Sequence, residues 1–284
     1  MSFLLSVGAL TVVYFMVGAL ERRPTLQFRR IPRPRPYLAT DTAWYGLAVA
    51  ASALSVFVFR PVLSRLAITP AATCVHAVPA AVQFVVALLV FDFLSFLVHR
   101  QLHRSSRLWE FHKVHHSTLH LDGFATTRAH MFENLIRFAP PQAVLFAAGM
   151  PAHVVALTVA VSAIYGVSNH SNLDITVPGF EVVLVTPRLH RRHHIPATTQ
   201  MNYGAIFTIW DRMFGTLLRA DTAADERYGV PGETDTYPQT FALAFRRPLT
   251  RPRRPAEPDA TLDVAAEQAS SGEFDPPVAA YPIR

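Results

Sequence analysis

The stretch AAVQFVVALLVFDFLSFLVHRQLH, residues 80–103, decides the fold. Over residues 80–98 it is apolar apart from Gln83, Asp92 and Ser95. A helix rising about 1.5 Å per residue over that length crosses a hydrocarbon core about 30 Å thick. It then runs directly into His99-Arg100-Gln101-Leu102-His103. An i, i+4 pair puts both imidazoles on one helical face about one turn apart, so a single metal ion can take both. The expectation is a membrane-spanning helix whose end carries ligands.

Three more apolar stretches flank this one. Residues 2–20 read as a retained anchor, because the stretch lacks a basic start and runs into Glu21-Arg22-Arg23-Pro24 where a signal peptide would have a small-residue cleavage site. Residues 42–59 form the second stretch. Residues 138–167 are interrupted at Gly149-Met150-Pro151, which predicts a helical hairpin with Pro151 and His153 at its tip. The connection 21–39 carries Arg22, Arg23, Arg29, Arg30, Arg33 and Arg35, whereas 60–79 carries only Arg60 and Arg65, so the first of these is expected on the cytoplasmic side. Threading the helices from there places every histidine cluster on the cytoplasmic face and leaves His76 and His153 on the other.

The predicted fold is therefore an all-α integral membrane protein of about four or five hydrophobic helices, one pair forming a hairpin, under a cytoplasmic helical cap that carries the histidines. The expected organisation is N-terminal membrane helices with a basic loop over 1–78, a metal-binding domain over 79–218, and a polar, largely disordered tail over 219–284. The tail reading rests on the change of character from about Leu249 onward, where proline, alanine and charged residues follow one another without an apolar period. No internal repeat is visible.

Composition narrows the chemistry. Hydrophobic residues make up 51% of the 284 and charged residues only 16%, an unusual balance for a soluble globular chain. The net charge of +6 comes with arginines that flank apolar runs, which speaks for a membrane face and against nucleic acid as partner. Cys74 is the one cysteine, so an intrachain disulfide framework, a four-thiolate iron-sulfur cluster and a cysteine-rich zinc site are excluded for this chain alone. Any metal must be held by histidine or oxygen.

Thirteen histidines are present, and eight fall into three clusters. After His99 and His103 come His112-Lys113-Val114-His115-His116 and His190-Arg191-Arg192-His193-His194, which share one spacing. On a helix the i and i+3 or i+4 rings project together, while the adjacent pair diverges by about 100° and reaches two different ions. Thr186 before Pro187, with Pro196 beyond, outlines a short dedicated helix for the last cluster. An isolated H-x-x-x-H is commonly a solvated helix face; three clusters on one membrane face are not, since eight imidazoles each need a partner or water. This number exceeds what one zinc ion uses and favours two metals. His170 sits at the same depth and reads as a ninth ligand. His130 reads equally as a ligand or as a hydrogen-bonded neighbour, and His120 as solvent-facing. Asp92, a carboxylate inside an apolar helix, is expected to pair with an imidazole or an arginine near the site.

The stretch from residue 91 to 216 resembles the fatty acid hydroxylase and sterol desaturase superfamily of membrane histidine-box enzymes. The residues that carry the resemblance are Asp92-Phe93 leading into the first cluster, Leu108-Trp109-Glu110-Phe111 before the second, Thr186-Pro187-Arg188-Leu189 before the third, then Asn202-Tyr203-Gly204 and Trp210-Asp211-Arg212-Met213-Phe214-Gly215-Thr216. The resemblance implies two non-haem iron ions, O2 as co-substrate, and hydroxylation or desaturation of an unactivated C–H bond of a sterol, fatty acyl chain or related lipid. It carries the ligand role to His99, His103, His112, His115, His116, His170, His190, His193 and His194. Asn202, Tyr203 and Asp211 are expected to support the ligand helix or line the pocket; a plain turn and salt bridge is the other reading. Two departures, Met131 where many relatives have proline and Leu189 where many have histidine, touch the edge of the site. No catalytic residue beyond the metal centre is expected.

No fused b-type cytochrome domain is apparent in the flanks, and neither a G-x-G-x-x-G fingerprint nor a cysteine cluster supplies an electron route, so an external donor is expected, a ferredoxin or a b-type cytochrome with its reductase. Arg100, Arg104, Arg107, Arg191 and Arg192 form the basic face on which an acidic donor would dock. Two other classes compete: a membrane metal-binding or transport protein, which predicts histidines within several spans, and a zinc-dependent membrane hydrolase, which requires an open metal position and a base.

Overall fold

The computed structural model describes residues 2–32, 34–54, 62, 65, 69–174, 177, 179–219 and 226–250. These residues form helices and no strand, with two isolated bridges, Gln27 to Leu173 and Leu184 to Phe207. In chain order the helices are α1 (Ser2–Leu20), α2 (Leu38–Leu54), α3 (Thr69–His76), α4 (Ala80–Arg104), α5 (Ser106–His116), α6 (Met131–Ala147), α7 (Ala152–His170), α8 (Pro187–His193), α9 (Ile209–Phe214) and α10 (Phe241–Thr250).

The deciding stretch is one helix, α4, and it keeps both histidines of the first cluster inside it. Ser105 ends it and starts the next: its N–H donates to the Gln101 carbonyl, and its Oγ accepts from the Leu108 N–H to cap α5. One residue thus turns the chain between two ligand helices. The predicted hairpin is present as α6 and α7. Gly149 at its tip has φ +80°, and a Cβ there would lie 2.4 Å from the Ala72 Cα, so both backbone and space demand glycine.

Ala87 and Phe91 of α4 pack between Leu145 and Phe146 of α6 and Val154 and Val155 of α7. Tyr14 and Val17 of α1 lie against Val167 of α7, with Tyr14 stacked on Tyr45 of α2. The opposite faces stay apolar and exposed: Val82, Val85, Val86 and Leu89 on α4, Phe15 and Met16 on α1, Val144 on α6 and Leu157 on α7. Among the described residues two helices, α4 and α7, are long and apolar enough to cross a membrane; α1 has a shorter apolar run, Val7–Leu20. Of the second expected stretch, α2 covers the described part, and 55–59 lie outside the described residues.

The polar tail expected from residue 219 is corrected over 226–250. Val230 and Tyr237 are buried with Trp44 of α2 and Val114 of α5, and Phe241 and Phe245 of α10 close over the same cluster. Full burial of valines such as Val114 and Val230 stabilises by roughly 1.5–3 kcal/mol each. The segment reads as polar because its few apolar residues gain their partners from distant helices. Residues 251–284 lie outside the described residues.

Candidate metal centre

The structure brings all nine expected histidines together, in two groups. His99, His103, His112, His116 and His193 form one, and His115, His170, His190 and His194 the other; within each, one ring nitrogen per residue lies within 4.8 Å of all the others. The division follows from helix geometry. On α5, His112 and His116 share a face, while His115 points to the second group. On α8, His193 joins the first group, while His190 and the capping residue His194 join the second. The adjacent rings stand at 90° for His115 and His116 and at 89° for His193 and His194, so each pair serves both groups.

Hydrogen bonds aim the rings. Nδ1 of His99 lies 2.8 Å from the Tyr203 carbonyl, that of His193 2.7 Å from the Met201 carbonyl, and that of His112 2.8 Å from the Glu133 carboxylate. In the second group, Nδ1 of His115 faces the Arg128 carbonyl at 3.2 Å and that of His170 the Gly166 carbonyl at 2.8 Å. Each acceptor requires a proton on Nδ1, which turns the lone pair of Nε2 inward.

The inward nitrogens converge. Nε2 atoms meet at 3.1 Å between His99 and His112, at 3.0 Å between His115 and His170, and at 3.0 Å between His170 and His190. Nε2 of His193 and both ring nitrogens of His103 and His116 are buried without a hydrogen-bond partner. Facing lone pairs and orphaned nitrogens at this density are the arrangement that metal-ligating imidazoles adopt. Burial, followed by neighbouring imidazoles, holds His112, His115, His116, His190 and His194 well below the usual histidine range, and burial pushes His193 down to about 4. Neutral imidazole is the form that ligates, so the residues present fit two metal ions.

A second layer holds these orienting groups. Asp211 accepts from the N–H groups of Tyr203 at 2.8 Å and Gly204 at 2.7 Å and from the Thr216 hydroxyl at 2.7 Å. That fixes the carbonyl to which His99 donates. Asn202, at φ +56°, donates to the Leu189 and Leu218 carbonyls and accepts from the Leu218 N–H, tying the strand of chain after α8 back onto it. Asn202 thus holds the chain after α8 against that helix, and Asp211 holds the 203–204 turn.

Other expectations are corrected. Asp92 contacts neither imidazole nor arginine; it accepts from the N–H groups of Ile206 and Phe207 and from Trp210 Nε1 at 2.9–3.0 Å, because backbone donors satisfy a buried carboxylate without a second charge. His130, read equally as ligand or as hydrogen-bonded neighbour, lies in neither group and is hydrogen-bonded: its Nδ1 accepts from the Phe132 N–H to cap α6, and its ring packs on Phe111 and Phe245. His120 is half-buried. Arg191 is buried and donates to the Ser171 and Leu173 carbonyls with its guanidinium over Phe28, so it drops out of the basic docking face.

Sequence reasoning missed Glu133 and Arg128. Glu133 is fully buried against His112, and its position three residues beyond His130 was the available signal. Arg128 presents its carbonyl to His115 while its guanidinium binds Asp41 at 2.7 Å and Gln239 at 2.8 Å.

The fold and site define an all-helical protein with apolar, membrane-capable helices and a paired polyhistidine centre. Residues 84–216, a little under half of the chain and the part that contains all nine histidines, match the model of the fatty acid hydroxylase family. It is 32% identical to the ornithine lipid hydroxylase OlsE of Rhizobium tropici over 178 residues, 62% of this chain and 53% of that one. It is 33% identical to the alkylglycerol monooxygenase of Danio rerio over 135 residues, 46% of this chain and 29% of that one. It is 28% identical to methylsterol monooxygenase 1-3 of Arabidopsis thaliana over 141 residues, 47% of each. The chain thus spans about half or less of the length of these relatives. No solved structure matches it.

Proposed function

We propose that the chain is a membrane-bound, non-haem di-iron oxygenase that hydroxylates a lipid at an unactivated C–H bond. The observation that carries this reading is the division of nine buried imidazoles into groups of five and four. An all-nitrogen set admits iron as it admits zinc, copper or nickel, and two adjacent groups suit a reaction that needs two metals. When bound, two irons activate dioxygen with two electrons, so that one oxygen atom enters the substrate and the other leaves as water. The chain's own residues do the rest: they keep nine imidazoles neutral and aimed, exclude water by burial, and hold the centre at the end of α4. Hydroxylation is preferred to desaturation because the three relatives named above are called a hydroxylase or monooxygenases.

In this reading 79–218 is the catalytic domain, α4 and α7 span the membrane, and the histidines face the cytoplasm. Electrons come from a separate ferredoxin or b-type cytochrome that docks on the basic rim of Arg100, Arg104, Arg107 and Arg192. The transport alternative loses ground, since the histidines gather at helix ends and in the cap.

The test is metal analysis of gently purified protein, Mössbauer spectroscopy after iron-57 enrichment, and oxygen-18 tracing into lipid products. About two coupled irons per chain, absent in a His115→Ala, His193→Ala variant, together with labelled hydroxylated lipid, is the expected result. Bound zinc, and no oxygen-dependent product after iron reconstitution, would overturn the proposal.

A further inference from the structure

The exposed apolar face of α4 ends at Leu89, and at Phe93 a different element covers the helix. The rings of Trp210 and Phe214, both on α9, lie 4.8 Å and 6.5 Å from that of Phe93, and Phe214 also packs on Phe96. Beside α9 runs the 180–184 turn, joined to it by the Thr208 N–H donating to the Val183 carbonyl at 3.1 Å and the Thr208 hydroxyl donating to the Val182 carbonyl at 3.1 Å. From this joined surface Phe180, Val182, Val183, Ile209, Met213 and Phe214 project outward, each 37–57% exposed. Large exposed side chains gathered in one patch mark an interaction surface.

We infer that α9 and the 180–184 turn form an in-plane anchor seated in the headgroup boundary of a lipid bilayer. The inference rests on the proposed membrane placement of α4, and three observations name lipid as the occupant. First, the patch continues the exposed apolar face of α4. Phe93 lies four residues past Leu89, about 6 Å along the helix, and six residues before His99, about 9 Å. Second, basic side chains edge the patch: Arg212 donates to the Val182 carbonyl, the Arg100 guanidinium lies 5.2 Å from the Phe214 ring, and Arg188 pairs with Glu181. Long cationic side chains along an apolar surface keep their heads at the lipid-water boundary. Third, Trp210 sits at this level half-buried, with Nε1 donating to Asp92, and tryptophan favours the membrane interface. The anchor accounts for Asp92 as well, because that carboxylate bolts α9 and its loop to the spanning helix. Its effect is to set the height of the five-histidine group above the lipid.

The test uses the full chain with Cys74→Ser, which removes the exposed free thiol. Single cysteines are placed at Met213, Val183, Val86 and Arg227, labelled with a small environment-sensitive fluorophore, and reconstituted into phosphatidylcholine vesicles. Lipids brominated near the headgroup or near the chain methyl report depth, and aqueous iodide reports exposure to water. Labels at Met213 and Val183 are expected to be quenched by shallow bromines at least about twofold more than by deep ones, and weakly by iodide. The Val86 label on α4 should answer to deep bromines, and that at Arg227, on an exposed ion pair, to iodide. Iodide quenching at Met213 and Val183 equal to that at Arg227, or no response there to iodide or to either lipid, overturns the anchor while Val86 answers to lipid. A Val86 label that ignores both lipids overturns the membrane placement on which the inference rests, and the anchor with it.

Discussion

The five-histidine and four-histidine groups share two helices yet are held in place by different parts of the chain. The first is aimed by Tyr203, Met201 and Glu133, all inside residues 84–216. The second is aimed by Arg128 and Gly166, and its surroundings are clasped from outside that stretch. Asp41 and Gln239 grip Arg128, Glu21 accepts from the N–H groups of Gly123 and Asn172, and the Gly229 N–H donates to the His194 carbonyl at 3.4 Å. The ring partners of both groups thus lie within the matched segment, and the four-histidine group adds contacts from both flanks to Arg128, Gly123, Asn172 and His194 itself. The difference teaches that a shared ligand set does not imply a shared frame.

Substitutions sort by which half they strike. The largest effect is expected from the ligands themselves: His193→Ala should empty the five-histidine group and His115→Ala the four-histidine group, each leaving about one metal per chain by mass spectrometry. Loss of both ions from either single variant would show that the groups bind as one unit and would erase the distinction. Next comes Asp41→Ala, which leaves the buried Arg128 guanidinium without its carboxylate. Removing one partner of a buried pair costs about 3–5 kcal/mol, so thermal unfolding should shift down, and occupancy of the four-histidine group should fall first. Equal loss at both sites would break the comparison.

A smaller change is expected from Glu133→Gln, since loss of a carboxylate behind a ligating imidazole typically lowers metal affinity about 10–100-fold. Competition with a chelator should show that loss at the five-histidine group alone. Smallest is Gly204→Ala. Its Cβ would stand 2.8 Å from Asp211 Oδ2 and 2.9 Å from the Phe207 carbonyl, a crowding that costs about 1–3 kcal/mol. Its signature is a denaturant midpoint moved down, with the Mössbauer parameters of the four-histidine group unchanged.

Eight of the nine histidines were legible because helical spacing is a local property: i, i+3 and i+4 positions, read from short stretches, assign each imidazole a face, whereas His170 was placed by its depth at the end of the hairpin. The hairpin was legible for the same reason, through Gly149 and Pro151. What closes around the ligands was not. Arg128 meets Asp41 across 87 residues and Gln239 across 111, and no local pattern couples such positions. Asp92 was recognisable as a carboxylate in an apolar helix, but two of its three partners are backbone N–H groups, which no sequence advertises, and the third is the indole of Trp210, 118 residues away. The folding of 226–250 was hidden likewise, since Val230 and Tyr237 become core only when Trp44 arrives to cover them.

The diverging pairs His115–His116 and His193–His194 have a further consequence. Because each helix contributes to both groups, the separation between the two groups is written into the pitch of α5 and α8 and not into any loop. Inserting one residue between His112 and His115 would rotate the later histidines by about 100° and turn each toward the wrong group or toward none. These two short helices therefore act as rulers, tolerant of changed letters on their outer faces and intolerant of a changed count.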